Sequence, residues 1–370
     1  MNDLTFDHQP LGRVVSGPGT LARLGELVAV YGRRPLVVTD PGLEASGHPQ
    51  RAVAFLEAAG LAVAVFDGVK ENPTEAEVRN GVVAARDHRA DVLVAVGGGS
   101  SMDCAKGVNF LLTNGGRMAD YRGHDKAARP MLPSVGVPTT SGTGSEAQSY
   151  ALITDPATHL KMACGDKKAA FRVSVLDPEL TLSQPRGVTA VTGLDAVSHA
   201  VESLVCLKAN AFSRMCSLAA WRHLEPNFER VLATPDDLAA RAAMQVGAHL
   251  AGMAIEAAML GITHSCANPL TAHYGMTHGV AIGLLLPHVV RFNGETAAER
   301  YADIGEPGAV ADRLAALVRA AGLPTRLRDV GVAESILPLL AEEADQQWTA
   351  RFNPRPVTPS DLLGVYRAAW

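Results

Sequence analysis

The sequence predicts two domains: an amino-terminal α/β domain with a parallel sheet over residues 1–187, and an all-α domain over residues 188–370. With 370 residues, the chain is too long to fold around one hydrophobic core. In the first half, short apolar runs rich in β-branched residues alternate with helical patterns. Beyond about residue 187, Ala- and Leu-rich helical patterns continue and strand patterns end. This order favours an α/β domain followed by a helical one.

The individual elements follow from local patterns. Strands are predicted at residues 35–40, 62–66, 91–96, 134–137 and 174–176. A helix is predicted at residues 74–89, where Val78, Val82 and Val83 recur at helical spacing. Apolar strands that are separated by helices indicate a parallel sheet covered on both faces. The last helix is predicted to begin after Thr358, a residue type that caps helix amino termini.

Composition and charge exclude several classes of protein. Hydrophobic residues make up 47% of the chain and charged residues 19%, which is typical of a globular protein rather than a disordered one. A net charge of −5 provides no basic surface for nucleic acid or for an anionic membrane. The amino terminus does not resemble a signal peptide, and the five cysteines include no CxxC pair. We therefore expect a soluble cytoplasmic protein with reduced thiols.

A glycine-rich turn follows the predicted strand at residues 91–96. The segment GGGSSMDCAK begins at Gly97, and its glycines allow the backbone to approach a phosphate closely. Ser100 is predicted to begin a helix whose free N–H groups and dipole favour an anion. The segment is neither GxGxxG nor a P-loop. The alternative is a tight strand–helix turn in which Ser100 and Asp103 form a capping box.

A second run of small residues, PTTSGTGSE from Pro138 to Glu146, follows the predicted strand at residues 134–137. Its hydroxyl groups and glycines suit a ribose or a pyrophosphate, although a solvated loop has the same composition. Loops after neighbouring parallel strands converge on one edge of the sheet, in a crevice beside it. Together the two loops favour a dinucleotide bound in a cleft between the two predicted domains.

Two charged residues are candidate cofactor contacts. Asp40 ends an early strand, where a carboxylate bonds a ribose hydroxyl and repels a 2′-phosphate, so NAD is preferred over NADP. The alternative for Asp40 is a turn or helix-capping residue. Lys161 reaches cofactor or substrate oxygens in one interpretation and is a solvated surface lysine in the other.

A candidate metal site begins with Asp195 and His199. Their spacing of four residues places a carboxylate and an imidazole on one face of a helix, about one turn apart. The alternative is that Thr192 and Asp195 form a capping box and that His199 is a core histidine.

Four of the 12 histidines lie in a second segment, between His264 and His288. His264 and His278 would be about 21 Å apart on one unbroken helix, too far to share an ion. The chain must therefore reverse between them, and glycine and proline residues provide three candidate break points: Pro269, Gly275 and Gly279. One carboxylate and three imidazoles suit Fe(II), Zn(II) or a similar ion better than Ca or Mg.

Taken together, these segments resemble the iron-containing alcohol dehydrogenase family, the group that includes lactaldehyde reductase and 1,3-propanediol dehydrogenase. The matching stretches occur in the family's order across nearly the whole chain: GGGSSMDCAK, PTTSGTGSE, DPELTLSQPRGVTAVTGLDAVSHAVES, THSCANPL, THGVAIGLLLPHVVRFN and NPRPVTPSDL.

The resemblance implies a dehydroquinate synthase-like architecture and an NAD-linked enzyme that oxidises alcohols or reduces aldehydes and ketones. It implies Fe(II), or alternatively Zn(II), held by four residues: Asp195, His199, His264 and His278. It assigns cofactor contacts to ten residues: Asp40, Asn72, Gly98, Gly99, Ser100, Asp103, Thr139, Thr140, Thr143 and Lys161. Tyr150 falls near the substrate pocket. Homodimers or larger homo-oligomers are common in the family.

One departure from the family pattern concerns proton transfer. The family usually has a second histidine four residues after the ligand, facing the nicotinamide, and here that position is Asn268. An amide cannot take a proton at neutral pH. The neighbouring THSC and Thr271 also differ from the family's usual HAMA-like and Gly residues. The hypothesis is that the proton leaves through water, by way of His273 or the cofactor ribose.

Two other functions compete with this one. The first is a non-redox lyase of the dehydroquinate synthase type, which uses NAD and metal transiently on the same scaffold. The second is a protein that binds nucleotide and metal without turnover, because Asn268 replaces the usual histidine.

Overall fold

A computed structural model describes residues 4–156 and 161–370, and it divides the chain into two compact units. The α/β unit is Gln9–Gln184, and the helical unit is Pro185–Trp370 together with residues 4–8. The predicted fold class, an amino-terminal α/β domain with a parallel sheet followed by a helical domain, is confirmed.

The α/β unit is built on a six-stranded sheet in which every pair of neighbouring strands is parallel. Its strands are β1 (Arg13–Ser16), β2 (Pro35–Val38), β3 (Ala64–Phe66), β4 (Val92–Gly97), β6 (Ser134–Pro138) and β9 (Val173–Leu176). A three-stranded sheet contains β5 (Gly123–His124), β7 (Tyr150–Thr154) and β8 (Lys161–Gly165). Each strand that the sequence predicts lies within two residues of an observed one.

The strand order of the large sheet is β1-β9-β6-β4-β2-β3. The chain leaves β2 toward β3 on one side and then returns to β4 on the other side, so the order reverses between β2 and β4. Ligands of open parallel sheets bind at such a switch point, outside the carboxyl ends of the strands. Asp40 follows β2, and the glycine-rich turn follows β4.

Helices cover both faces of this sheet, as the apolar strands predict. They are α1 (Leu24–Ala29), α2 (His48–Ala58), α3 (Glu75–His88) and α4 (Gly99–Asn114). Alternate residues of β4 point to opposite cores: Val94 packs with Leu24 and Leu56, while Leu93 packs with Val78 and Val108. The central strands β2 and β4 are therefore buried at every position, because neither face of the sheet meets water there.

The helical unit consists of eight longer helices and several short 3₁₀ turns within the described residues. They are α5 (Arg186–Val205), α6 (Ala211–Ala233), α7 (Leu238–Ala257), α8 (Ile262–Tyr274), α9 (His278–Ala297), α10 (Pro307–Ala321), α11 (Leu337–Asp345) and α12 (Pro359–Ala369). Thr358 caps α12 in a reciprocal capping box with Asp361, as predicted. Their apolar faces form two clusters, one around Leu194 on α5 and one around Leu285 on α9.

Among residues 4–156 and 161–370, no single helix is long and apolar enough to span a membrane. The bent pair Leu238–Ala257 and Ile262–Tyr274 meets the length and composition test together, with an angle of 104° between its helices.

Candidate functional site

The first half of the candidate metal site lies in the interior of α5. Asp195 and His199 are one turn apart and buried, about halfway along a helix that begins at Arg186. The alternative capping box is not present, because Thr192 is also inside α5 and its hydroxyl donates to the carbonyl of Val188 at 2.8 Å. The carboxylate and the imidazole therefore share one helix face.

The chain reversal that the two later histidines require lies between α8 and α9. The break is at Gly275, which ends α8 in the left-handed conformation with φ of 60°. Pro269 lies inside α8 and Gly279 inside α9, so neither of these two predicted break points interrupts a helix. The reversal brings His264, near the start of α8, beside His278, the first residue of α9, with 5.3 Å between their ring centroids.

The four side chains converge on Asp195 Oδ1. The Nε2 atoms of His199, His264 and His278 lie 3.3, 3.6 and 3.7 Å from this oxygen. The Nε2 atoms of His199 and His264 are 3.1 Å apart. Ligand atoms of Asp195, His199 and His264 all lie within 4.8 Å of one another.

The side chains of this cluster influence one another's pKa strongly. Burial by itself raises the pKa of Asp195, but the imidazoles of His199, His264 and His278 hold it well below its usual range. Burial lowers the pKa of His264, yet Asp195 and Glu202 outweigh that effect and raise it to about 9. A proton on His264 and a divalent cation at Nε2 would compete for the same lone pair, so binding of the cation would release a proton.

The donor set fits a transition metal. Among the described residues, no hydrogen-bond donor satisfies the buried Asp195 Oδ1. Two Nε2 atoms that face each other cannot both act as acceptors without a cation or proton between them. One carboxylate and three imidazoles, all at least partly buried, match the oxygen and nitrogen ligands that Fe(II) and Zn(II) take.

Sequence reasoning missed Glu202, which supports this cluster from behind. Its Oε2 accepts from His264 Nδ1 at 2.6 Å, and its Oε1 accepts from the Thr263 backbone N–H at 2.7 Å. The signal was present in the sequence, since Asp195, His199 and Glu202 have the spacing i, i+4 and i+7 of one helix face.

Asn268, which replaces the family's usual histidine, and His273, the proposed proton carrier, lie on different sides of α8. Asn268 follows His264 by one turn on the same face, and its Nδ2 donates to Gln347 Oε1 at 3.1 Å. His273 is nine residues after His264, about 180° around the helix, and its Nε2 lies 2.8 Å from Glu343 Oε2. This geometry does not support His273 as a proton carrier for the cluster.

The glycine-rich turn ends β4 and begins α4. The helix starts at Gly99, one residue earlier than predicted, and Gly98 is its N-cap without a side-chain cap. The predicted alternative, a capping box of Ser100 and Asp103, is absent, because the Asp103 carboxylate accepts from Ser145 Oγ at 2.5 Å instead. The first N–H groups of α4 are therefore left for another acceptor.

The loop after β6 packs directly against this turn. The Thr139 N–H donates to the carbonyl of Gly97 at 2.9 Å. A Cβ at Gly99 would lie 2.6 Å from Thr143 Cγ2, so only glycine allows this approach, and a Cβ at Gly98 would lie 3.3 Å from Thr140 Cγ2. Asn72, which adopts a positive φ of 52°, donates its N–H to Ser100 Oγ at 3.3 Å. Three predicted cofactor segments thus meet at one turn.

Lys106, which sequence reasoning passed over, holds the two loops together from within the core. Its fully buried Nζ donates to Ser145 O at 2.7 Å, Ser145 Oγ at 2.9 Å and Tyr150 O at 2.6 Å. Asp103 Oδ1 lies 3.8 Å away. Burial raises the pKa of Asp103, and Lys106 and Ser145 oppose this.

The remaining predicted residues lie around the same unit. The Asp40 carboxylate follows β2 and accepts from Ser101 Oγ at 3.2 Å. Tyr150 is buried on β7, and its hydroxyl contacts His124 Nε2. Lys161 begins β8 and is partly exposed.

Comparisons with known proteins agree with this arrangement. A family model described as iron-containing alcohol dehydrogenase matches residues 12–178, and the carboxy-terminal model of the Fe-containing alcohol dehydrogenase family matches residues 189–370. The chain is 36% identical to the 1,3-propanediol dehydrogenase of Klebsiella pneumoniae, over 96% of each protein. It is 34% identical to the NAD-dependent methanol dehydrogenase of Bacillus methanolicus, over 96% of this chain and 97% of that protein.

The fold comparison gives the same family. The crystal structure of a 1,3-propanediol oxidoreductase matches with a TM-score of 0.94 at 35% identity, covering 99% of this chain and 100% of that one. Both family models and full-length relatives above 30% identity therefore confirm the resemblance. This chain belongs to the iron-containing alcohol dehydrogenase family and is an alcohol and aldehyde oxidoreductase.

Proposed function

We propose that this protein is an NAD- and metal-dependent dehydrogenase that transfers hydride between a primary or secondary alcohol, or its aldehyde or ketone, and NAD. The observation that carries the proposal is the convergence of three imidazole Nε2 atoms on the buried Asp195 Oδ1. A divalent cation would neutralise this buried carboxylate and accept lone pairs from the mutually facing nitrogens.

The metal ligands in this proposal are Asp195, His199, His264 and His278. A divalent ion bound there supplies Lewis acidity, which lowers the pKa of an alcohol or polarises a carbonyl. The chain's own contribution is rigidity. Asp195 and His199 are fixed by the interior of α5, and His264 is oriented by its hydrogen bond to Glu202. We propose Fe(II), with Zn(II) as the alternative, because the same donor set accepts both ions.

The dinucleotide site in this proposal is the edge of the sheet after β2, β4 and β6. The uncapped N–H groups of Gly99 and Ser100 favour a pyrophosphate. The first turn of α4 contains no acidic residue that would repel it. The carboxylate of Asp40 is suited to ribose hydroxyls and repels a 2′-phosphate, so NAD is the proposed cofactor. The remaining predicted contacts are Asn72, Gly98, Asp103, Thr139, Thr140, Thr143 and Lys161, with Tyr150 near the substrate.

The proton is proposed to leave through water or the cofactor ribose and not through a histidine. Asn268 cannot take a proton, and His273 is bound to Glu343 on the opposite face of α8. Asn268→His should therefore add an ionisation near pH 6.5 to the pH profile of kcat. His273→Ala should leave that profile unchanged. An altered profile in His273→Ala alone would restore His273 as the carrier.

We also propose that the protein acts in the cytoplasm as a homodimer or larger homo-oligomer on small-molecule substrates. All five cysteines are free and buried, as expected for a reducing compartment. Light scattering of the purified protein would measure its oligomeric state.

The test of this function combines metal analysis with an activity screen. Protein purified without oxygen should contain about one Fe(II) or Zn(II) per chain, and it should form NADH from one or more alcohols of a broad panel. His264→Ala should lose both the metal and the activity. Metal and NAD binding without net NADH formation would favour the lyase or the non-catalytic alternative, and full metal content in His264→Ala would overturn the site.

A further inference from the structure

We infer that Glu202 is a positioning residue for the metal site, which sets the tautomer of His264 and fixes the start of the helix that carries it. This inference rests on the proposed metal-binding function of the cluster. Glu202 is not one of the four ligands, and it acts through its hydrogen bonds to His264 and Thr263.

The hydrogen bond from His264 to Glu202 sets the tautomer of His264. A neutral imidazole carries one proton, and it binds a metal only through the nitrogen that lacks it. Glu202 Oε2 lies 2.6 Å from His264 Nδ1, the distance of a strong charge-assisted hydrogen bond. The proton is therefore held at Nδ1, and the lone pair of Nε2 faces Asp195. Carboxylates that hold metal-binding histidines in this way raise the basicity of the imidazole.

Glu202 also caps the amino terminus of α8. Its N-cap, Gly261, has no side chain to satisfy the first N–H groups of the helix. The other oxygen of Glu202 accepts from the Thr263 N–H at 2.7 Å, so a residue of α5 supplies the missing cap. The positive end of the α8 dipole also stabilises this buried carboxylate.

Gly261 is part of the same arrangement. A Cβ there would lie 3.1 Å from Glu202 Oε1 and 3.0 Å from Asn353 Oδ1, closer than ordinary contacts. Glycine at position 261 therefore lets the carboxylate approach the helix start.

Both oxygens of Glu202 are thus engaged at the same helix turn, one by the backbone and one by a metal-binding side chain. The carboxylate itself is buried. Orientation of His264 and capping of α8 depend on one residue of α5.

The test measures metal affinity separately from activity. Metal-stripped wild type, Glu202→Gln, Glu202→Ala and Gly261→Ala are titrated with Zn(II) against a chelating dye. The Gln variant retains one acceptor and loses the charge. We expect zinc binding to weaken about 10-fold in Glu202→Gln and Gly261→Ala, and up to about 100-fold in Glu202→Ala.

The control is Ser217→Ala, which removes a buried hydroxyl from α6 that contacts Ser203 and no metal ligand. Its zinc affinity should equal that of wild type even if its melting temperature falls. The visible spectrum of the Co(II)-loaded protein should change in Glu202→Gln and stay unchanged in Ser217→Ala. A general loss of stability would not change the spectrum of one variant and leave that of the other unaltered. Should Glu202→Ala fail to fold, Glu202→Gln and Gly261→Ala still decide the question.

The inference would be overturned if folded Glu202→Gln and Gly261→Ala had the same zinc affinity and the same Co(II) spectrum as wild type. Failure of the proposed function is distinguishable from this result. In that case wild type itself would bind no zinc, or His264→Ala would bind it as tightly as wild type does.

Discussion

The metal-ligand cluster and the glycine-rich turn are built in opposite ways. The cluster consists of side chains on three helices, with His199 and His264 separated by 65 positions in the sequence. The turn consists of backbone groups in one short segment, which begins where β4 ends. The cluster therefore depends on how helices pack together, whereas the turn depends on local conformation and on the neighbouring strand.

This difference affects how each region tolerates change. Removing one side chain from the cluster removes a ligand outright. The turn offers main-chain N–H groups, which no substitution other than proline deletes, so the other substitutions act on its supports. Lys106 and the loop after β6 are those supports. We expect large effects on the metal cluster and graded effects on the turn.

The largest effect is expected for His264→Ala. Loss of this ligand should lower kcat/KM by about 10³-fold, because metal stabilisation of the developing charge contributes several kcal/mol. Steady-state kinetics with metal analysis would measure it. His223→Ala, at an exposed histidine on α6, is the control and should retain activity. Full activity in His264→Ala would show that the cluster is not the metal centre.

Lys106→Met should come next. It removes a buried ammonium and leaves two carbonyl oxygens and Ser145 Oγ without their donor, which should lower the free energy of unfolding by about 3 kcal/mol. NAD should also bind more weakly, because the two loops are no longer tied together. Denaturant unfolding and NAD titration would measure both effects. The exposed Lys167→Met should change neither, and an unchanged Lys106→Met would show that the turn holds itself.

Asp40→Ser tests the cofactor edge directly. Loss of a charged hydrogen-bond partner should weaken NAD binding by about 10-fold, and removal of the negative charge should reduce the discrimination against NADP. Affinities for NADH and NADPH would be compared by fluorescence. Asp67→Ser, just after β3, is the matched control. Equal loss of both affinities would argue against a role for the Asp40 charge in cofactor choice.

The smallest effect is expected for Thr74→Ala, beside Asn72. Thr74 caps α3 in a reciprocal capping box with Glu77, so its loss should cost about 1 kcal/mol at pH 7. Burial opposes but does not outweigh the bonds from Thr74, and the pKa of Glu77 is lowered. Because the pKa of Glu77 is lower in the folded state than in the unfolded state, its ionised carboxylate stabilises the fold at pH values above the unfolded-state pKa of about 4.3. This stabilisation is lost as the pH falls through the folded-state pKa.

The difference in unfolding free energy between wild type and Thr74→Ala should therefore shrink as the pH falls below about 4.3. Urea unfolding at a series of pH values would measure it. A difference that stays constant down to the acid transition would exclude Glu77 as its source.

Much of the fold was predictable because its signals are local. Thr358 and Asp361 form a capping box within one helical turn, and β4 contains an unbroken apolar run, residues 92–96, that is followed by three glycines. Asp195 and His199 are related by helix geometry alone. In each case the interacting groups are a few residues apart, so the pattern itself contains the geometry.

Tertiary structure decided what depends on distant partners. Spacing left three break points between His264 and His278, and packing selected Gly275. The spacing of Glu202 places it on the same helix face as Asp195, but only the packing of α8 against α5 shows that it binds His264. The sequence places Lys106 on a helix, but only the packed structure shows that its ammonium group binds the loop after β6. By itself, the sequence determined the elements and the chemical types of ligand, because short-range geometry repeats from protein to protein. The pairing of residues far apart in the chain was decided only by the packed fold, since no local pattern specifies which helix faces meet.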